Sequence, residues 1–320
     1  MQKVFIGDSY YVVVELPWDT TPNLDHVKND LANGKAKLAI WFSTESMFYQ
    51  QSDFVLNTEY DSYETNPLYR TEHEMIANLL FKYNLDEYVL IDNNPYNEIR
   101  FPNNCIYVPN YARKTWEECN LKLSRDAVFS SFNRRPTKVR LQIVDFLDKK
   151  DSVWSCGQLD EYQKVQLPQF SHLDLPKVVD KEFTPLGTGM ETPYWLYQTA
   201  YFHIINETDT WYDPNYLFIT EKTYNCINSR TPFIIVGQPY TLKHLRDLGF
   251  KTFNDFWDES YDEELYTDKR VDMICDLIDF IEIKHLLLFQ EVQDVLEYNY
   301  NHLRSFDFSL ESKLSTFGFK

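Results

Sequence analysis

FITEKTYNCINSRTPFIIVG, residues 218 to 237, sets a lysine in the first turn of a predicted helix and follows that helix with a short apolar strand. Thr220 is a good N-cap and Glu221 suits the first helical position. The partial positive charge of a helix N-terminus nevertheless disfavours Lys222 by a few tenths to ~1 kcal/mol. An anion bound there reverses the sign: backbone N–H groups and the ammonium then converge on one negative group, as at phosphate sites where a strand or loop feeds a helix. TPFIIVG, closed by Gly237, predicts a strand buried on both faces, the kind found in parallel sheets.

The same logic recurs about ninety residues earlier, in AVFSSFNRRPTKVRLQIVDFLDKKDSVWSCG, residues 127 to 157. Pro136 suits the first helical position, which puts Arg134 and Arg135 just before the helix and Lys138 and Arg140 in its first turns. Residues 111 to 150 hold ten Lys or Arg against five Asp or Glu, whereas the whole chain has 49 acids to 31 bases and a net charge of -18. The basic patch is therefore local and runs against its background. The ordinary alternative is a solvated loop whose Arg stems cover apolar surface.

With 320 residues, 43% of them hydrophobic, the chain is long enough for two domains with a core each. Its 17% aromatic content and only 8 glycines argue against disorder and flexible linkers. The opening MQKVFIGDSYYVVVELPW reads as a strand rather than a signal peptide, and apolar runs such as HLLLF near residue 287 are far too short to cross a bilayer, so a soluble, cytoplasmic protein is expected. Cys105, Cys119, Cys156, Cys226 and Cys275 are odd in number and widely spaced, and no two histidines lie three to five residues apart. Both features predict a reducing compartment and no zinc site. A pI near 4.8 argues against non-specific nucleic-acid binding and for a small anionic ligand in one basic cleft.

Along the chain, strands and helices alternate twice. The first series runs VFIG, YYVVVEL, the helix DHVKNDLANG, KLAIWF, the helix TEHEMIANLLFKYNL, YVLID and IYVP. The second runs AVFSSF, the helix TKVRLQIVDFLDKK, SVWSCG, the helix YWLYQTA, YFHIINE, the helix EKTYNCINSR, PFIIVG, the helix TLKHLRDLG and a short strand FKTF. Residues 158 to 190, with three prolines, read as a long irregular insertion. The expected fold is α/β with two facing Rossmann-like domains and a C-terminal helical segment. The domains are an N-terminal α/β domain at 1–122 and a nucleotide-binding one at 123–284, with a helix at 285–320 packing back over the junction. Ligands of open α/β sheets bind at the C-terminal ends of the strands, where both basic helix starts fall, and a diphosphate can share its charges between them. Neither GxGxxG nor GxxxxGK[ST] occurs, which weakens dinucleotide oxidoreductases and P-loop NTPases.

FHIINETD at 202 to 209, followed by FITEKTYNCINSRTPFIIVG and GFKTFNDFWD, resembles the α1,3-fucosyltransferase family, whose pattern is a Phe-Glu-Asn-Ser-like element, a Thr-Glu-Lys helix start and a Pro-rich strand ending in Gly. AVFSSFNRRPTKVR resembles that family's Ser-Asn-Pro segment, and SVWSCG its Val-Asp-Ser-Gly-Gly strand. The resemblance spans residues 127 to 282; in the first domain it is limited to IWFSTES at 40 to 46 and IYVPNYAR at 106 to 113. It implies the B-type glycosyltransferase arrangement, in which the C-terminal domain binds a nucleotide sugar, GDP-fucose by analogy, and the N-terminal domain an acceptor hydroxyl of a saccharide or another molecule. Lys222 and an Arg of the 134 to 140 cluster, best Arg140, would then neutralise the diphosphate. Thr220 would start the helix, Glu221 would hold the ribose hydroxyls, and Tyr224 would lie near the nucleotide. Asn206 and Glu207 would face the same cleft.

An inverting transfer needs a carboxylate within reach of the acceptor hydroxyl. Glu45 follows the strand KLAIWF and matches a Thr-Gly-Glu element of the family, although Thr44 stands where that element has Gly. Glu59, Asp61 and Glu64 are alternatives, and Trp18, Trp41, Phe48, Tyr49, Tyr60 and Tyr63 are candidates to stack on a sugar ring. No two aspartates are separated by one residue, so the Asp-x-Asp metal motif is absent and a metal-independent reaction without further cofactor is expected, with cations stabilising the leaving diphosphate. Two rivals stay open: a glycosyltransferase acting on modified bases in DNA, and a non-catalytic nucleotide- or sugar-binding module.

Overall fold

The structure, a computed structural model, describes residues 1–16, 22–42, 76–96, 105–108, 118–179, 194–214, 216–305 and 310–317. They fall into two compact units, Met1–Arg113 with Asn215–Phe218 and Asp307–Lys320, and Lys114–Pro214 with Ile219–Phe306. Each unit is built on its own sheet.

In the first unit β1 (Gln2–Ile6), β2 (Ser9–Leu16), β3 (Ala36–Phe42), β4 (Val89–Asp92) and β5 (Cys105–Tyr107) lie side by side in that order. β1 and β2 form an antiparallel hairpin, whose turn holds Gly7 in the left-handed region at φ 61, and the remaining pairs are parallel. Successive residues of a strand point to opposite faces. Tyr10, Val12 and Val14 therefore join Leu38, Ile40 and Leu79 in one core layer, the last from a helix α2 over residues 76–83 that comes after the short α1 (Lys28–Ala32). Tyr11, Val13, Ala39 and Ile91 join Leu310 and Leu314, from a C-terminal helix at Leu310–Phe317, in the other. Burial on both faces is what an unalternating run such as YYVVV requires.

The second sheet is Rossmann-like. β6 (Ala127–Phe132), β7 (Ser152–Ser155), β8 (Ala200–Asn206) and β9 (Phe233–Val236) are all parallel, in the order β7-β6-β8-β9. α3 (Lys138–Leu147) connects β6 to β7, and α4 (Glu161–Gln166) and α5 (Tyr194–Tyr197) lie between β7 and β8. α6 (Glu221–Asn228) connects β8 to β9; α7 (Thr241–Asp247), α8 (Thr267–Glu291), α9 (Gln293–Ser305) and α10, the Leu310–Phe317 helix already described, follow. The chain thus steps from β6 to one side and then returns past it to β8. The reversal falls between the adjacent strands β6 and β8.

Several local expectations are corrected. α3 begins at Lys138 with Thr137 as its N-cap, two residues later than Pro136 suggested, because the Thr137 hydroxyl accepts from the Arg140 N–H at 3.3 Å. FKTF forms no strand: Asn299 accepts from the Lys251 N–H and donates to its carbonyl, both at 2.8 Å, and Glu259 takes the Phe253 N–H at 2.8 Å, so side chains occupy the edge a strand would fill. The 158–190 stretch carries order in its described part, since Asp160 and Gln163 form a capping box that starts α4. HLLLF, expected at the start of a helix over 285–320, belongs to a helix of 25 residues, α8, that begins at Thr267. Among the described residues no helix is long and apolar enough to cross a membrane.

Candidate functional site

The carboxyl ends of β6 and β8, where the connections part, carry buried polar side chains that an apolar core does not explain. Glu207, the residue after β8, is 1% exposed. Its carboxylate accepts from the Thr220 backbone N–H at 3.2 Å, the Thr220 hydroxyl at 2.5 Å and the Thr223 hydroxyl at 2.7 Å. It therefore sits at the N-terminus of α6, the end at which the helix dipole favours negative charge. Lys222 places its ammonium 3.7 Å from the same carboxylate and donates to the Thr220 hydroxyl at 2.9 Å. The cation in the first turn of α6 is thus compensated by a carboxylate of the chain itself, where the sequence led to the expectation of a guest anion. The Lys222 side chain nonetheless keeps 22% of its surface exposed, against none for Glu207.

Arg140 joins this cluster from the other helix. Its guanidinium donates to the Glu207 carbonyl at 3.0 Å and to the Arg135 carbonyl at 3.0 Å, tying the loop before α3 to the end of β8. Burial pulls its pKa down, while the carboxylates of Glu207, Asp209 and Glu221 oppose that shift. Gly157, just after β7, permits the arrangement, because a Cβ there would collide with the Arg134 carbonyl. The guanidinium predicted to meet a diphosphate is thereby committed to backbone carbonyls, and only its Nε is without a hydrogen-bond partner among the described residues.

The remaining predicted residues separate by burial. Thr220 is the N-cap of α6, as its sequence position suggests, and Asn206 and Glu221 are buried beside it. Arg134 and Arg135 are exposed, and Lys138, also exposed, pairs with Asp268 at 3.2 Å. Tyr224 lies in the core with no exposed surface, its ring 6.3 Å from that of Phe250. Trp41 is a core residue of the first sheet. Glu45, Glu59, Asp61, Glu64, Trp18, Phe48, Tyr49, Tyr60 and Tyr63 lie outside the described residues.

Sequence reasoning passed over Ser130, Ser131, Asn133, His203 and Thr223. The signal was available in AVFSSFN, where polar residues enter an apolar strand at its carboxyl end. Ser130 bonds the His203 Nδ1 at 2.8 Å across β6 and β8. Burial holds the His203 pKa down to about 3, so the ring is neutral near pH 7. Among the described residues no group of three or more His, Cys, Asp or Glu is placed to hold a metal ion. A scan against protein-family models and a search of curated proteins find no match for the chain.

Proposed function

We propose that this protein is a glycosyltransferase that moves a sugar from a nucleotide diphosphate donor to a hydroxyl acceptor, in the two-domain, B-type arrangement implied by its resemblance to α1,3-fucosyltransferases. The observation that carries the proposal is the meeting of both basic strand-to-helix junctions on one residue. Arg140 holds the backbone of Glu207 and Lys222 its carboxylate, at the point where the connections of a parallel sheet part. Such points are where open α/β sheets bind ligands. In this scheme Lys222, with Arg134 and Arg135 at the exposed rim, takes the diphosphate, and an arriving phosphate competes with Glu207 for the Lys222 ammonium. Glu221 binds the ribose and Glu45 serves as base. The reaction is metal-independent and inverting.

Calorimetric titration of the full chain with GDP, UDP and GDP-fucose tests this. At least one is expected to bind, and Lys222→Ala to weaken it by about tenfold or more, the worth of a charge-assisted hydrogen bond. Unchanged affinity in the variant, or no binding to the unaltered chain, overturns the proposal. A second reading, a nucleotide-binding module without chemistry, is favoured by the internal pairing of Lys222 with Glu207. Slow release of nucleoside diphosphate from the donor in the absence of acceptor distinguishes the enzyme from the module.

A further inference from the structure

Ser131, on β6, is the hub of a buried amide cluster beside Glu207. Its hydroxyl donates to the Ile204 carbonyl of β8 at 3.0 Å. A hydroxyl has one proton, so Ser131 can only accept from the two amides that reach it, Asn133 Nδ2 at 3.3 Å and Asn206 Nδ2 at 3.0 Å. Asn133 Nδ2 also lies 3.3 Å from the Ser155 carbonyl, which fixes that amide's orientation a second way. Each side chain therefore turns its nitrogen to Ser131 and its oxygen away. Both Oδ1 atoms are buried without a hydrogen-bond partner among the described residues, on side chains only 5% and 2% exposed.

A buried carbonyl oxygen without a donor is costly and uncommon. Two of them at the carboxyl ends of adjacent strands call for donors that the described residues do not supply. An ionised phosphate cannot supply them, since its oxygens only accept. A metal ion or ammonium is disfavoured, because the Arg140 guanidinium already sits on the carbonyl of Glu207, the neighbour of Asn206. A neutral donor remains, an O–H or an N–H, and the polyol parts of a nucleotide sugar present neighbouring hydroxyls.

We propose that Asn133 and Asn206 form a hydroxyl-reading pair, whose amide oxygens accept from two hydroxyls of the bound ligand, either of its ribose or of its transferred sugar. This rests on the nucleotide-sugar function proposed above and assigns the polyol part of the ligand, not the diphosphate, to the ends of β6 and β8. The full chain is titrated with inorganic pyrophosphate, GDP, 2′,3′-dideoxy-GDP and GDP-fucose. Asn133→Ala and Asn206→Ala are each expected to weaken a ligand bearing the hydroxyls by about tenfold and to leave pyrophosphate affinity unchanged. If the ribose is read, the loss appears with GDP and vanishes with the dideoxy form; if the sugar is read, it appears only with GDP-fucose. Equal losses for every ligand, pyrophosphate included, or no loss for any, overturn the pair while nucleotide binding stands. Failure of the unaltered chain to bind any nucleotide overturns the underlying function as well. Should a variant not fold, the unaltered chain decides: the pair is overturned if neither removing the ribose hydroxyls nor adding the sugar changes affinity by about tenfold.

Discussion

In the first unit the strands are laid down in sequence order, β1-β2-β3-β4-β5, whereas in the second β7 and β8 lie on opposite sides of β6. Crossovers between parallel strands are right-handed, so steps taken in one direction keep their connections on one face and a change of direction moves them to the other. The described strands of the first sheet contain no such change. The second sheet changes direction between β6 and β8, the kind of point at which open α/β sheets bind ligands. One set of buried amides can be compared across the two sheets. At the end of β4 the Asn94 amide is occupied by the chain itself, accepting the backbone N–H groups of Leu217 and Tyr96 at 3.2 Å each. At the ends of β6 and β8 the amide oxygens of Asn133 and Asn206 have no such occupant among the described residues.

The strongest way to break this comparison is to remove Glu207. Its carboxylate holds Thr220, Thr223 and Lys222 while its carbonyl holds Arg140, so it joins both junctions at the reversal. Glu207→Ala leaves two hydroxyls and a backbone N–H without their acceptor and the Lys222 ammonium without its counter-ion, and is expected to destabilise the unit by about 3–5 kcal/mol in urea unfolding. Glu207→Gln keeps the shape and some of the hydrogen bonds, and is expected to lose less. A loss below about 1 kcal/mol for the Ala variant would show that the reversal is held together by apolar packing, like the first sheet.

A smaller effect separates the two sheets by pH. Burial lowers the pKa of His203 to about 3 from the ordinary 6.5. The unfolded chain therefore takes up a proton near pH 6.5 that the folded chain refuses until about pH 3. Stability from this residue is present above pH 6.5 and is lost as the pH falls, by about 2 kcal/mol between pH 7 and pH 5. His244, held down to about 4 chiefly by burial, acts in the same direction. The described residues of the first unit bury no histidine, and His26 is exposed. His203→Phe is accordingly expected to shrink the difference between urea stabilities at pH 7 and pH 5 by about 2 kcal/mol. A variant whose pH dependence matches that of the unaltered chain would place the titration elsewhere.

Most of this architecture was legible where local chemistry and tertiary context agree. AVFSSF, YFHIIN and PFIIVG are apolar over most of their length and became β6, β8 and β9, and Thr220 caps α6 because its hydroxyl reaches the Lys222 N–H at 3.4 Å. Legibility failed where distant side chains compete for the backbone. FKTF has a strand's composition, but Asn299, 48 residues away, claims the Lys251 backbone. The site shows the same divide. Its cations could be placed at two helix starts from spacing alone, whereas their partners could not: Glu207 is 15 residues from Lys222 and 67 from Arg140 in sequence and meets both only through the strand order. The amide pair escaped notice for a related reason, since its orphaned oxygens follow from one proton on Ser131, a property of the folded network.

The least effect is expected from Lys138, and it sharpens the comparison by its smallness. Its ammonium pairs with Asp268 at 3.2 Å, with both side chains largely in water at 44% and 67% exposure. Surface pairs of this kind contribute about 0–1 kcal/mol. As the first residue of α3 Lys138 also opposes the helix dipole by a few tenths of a kcal/mol. The two effects offset each other, so Lys138→Ala should change stability in urea by less than about 0.5 kcal/mol. Lys222, by contrast, lies against a fully buried carboxylate at the reversal, and its removal should be felt in ligand affinity. If Lys138→Ala weakens nucleoside diphosphate binding as much as Lys222→Ala does, the anion is captured by the exposed cations along α3 and not where the connections of β6 and β8 part.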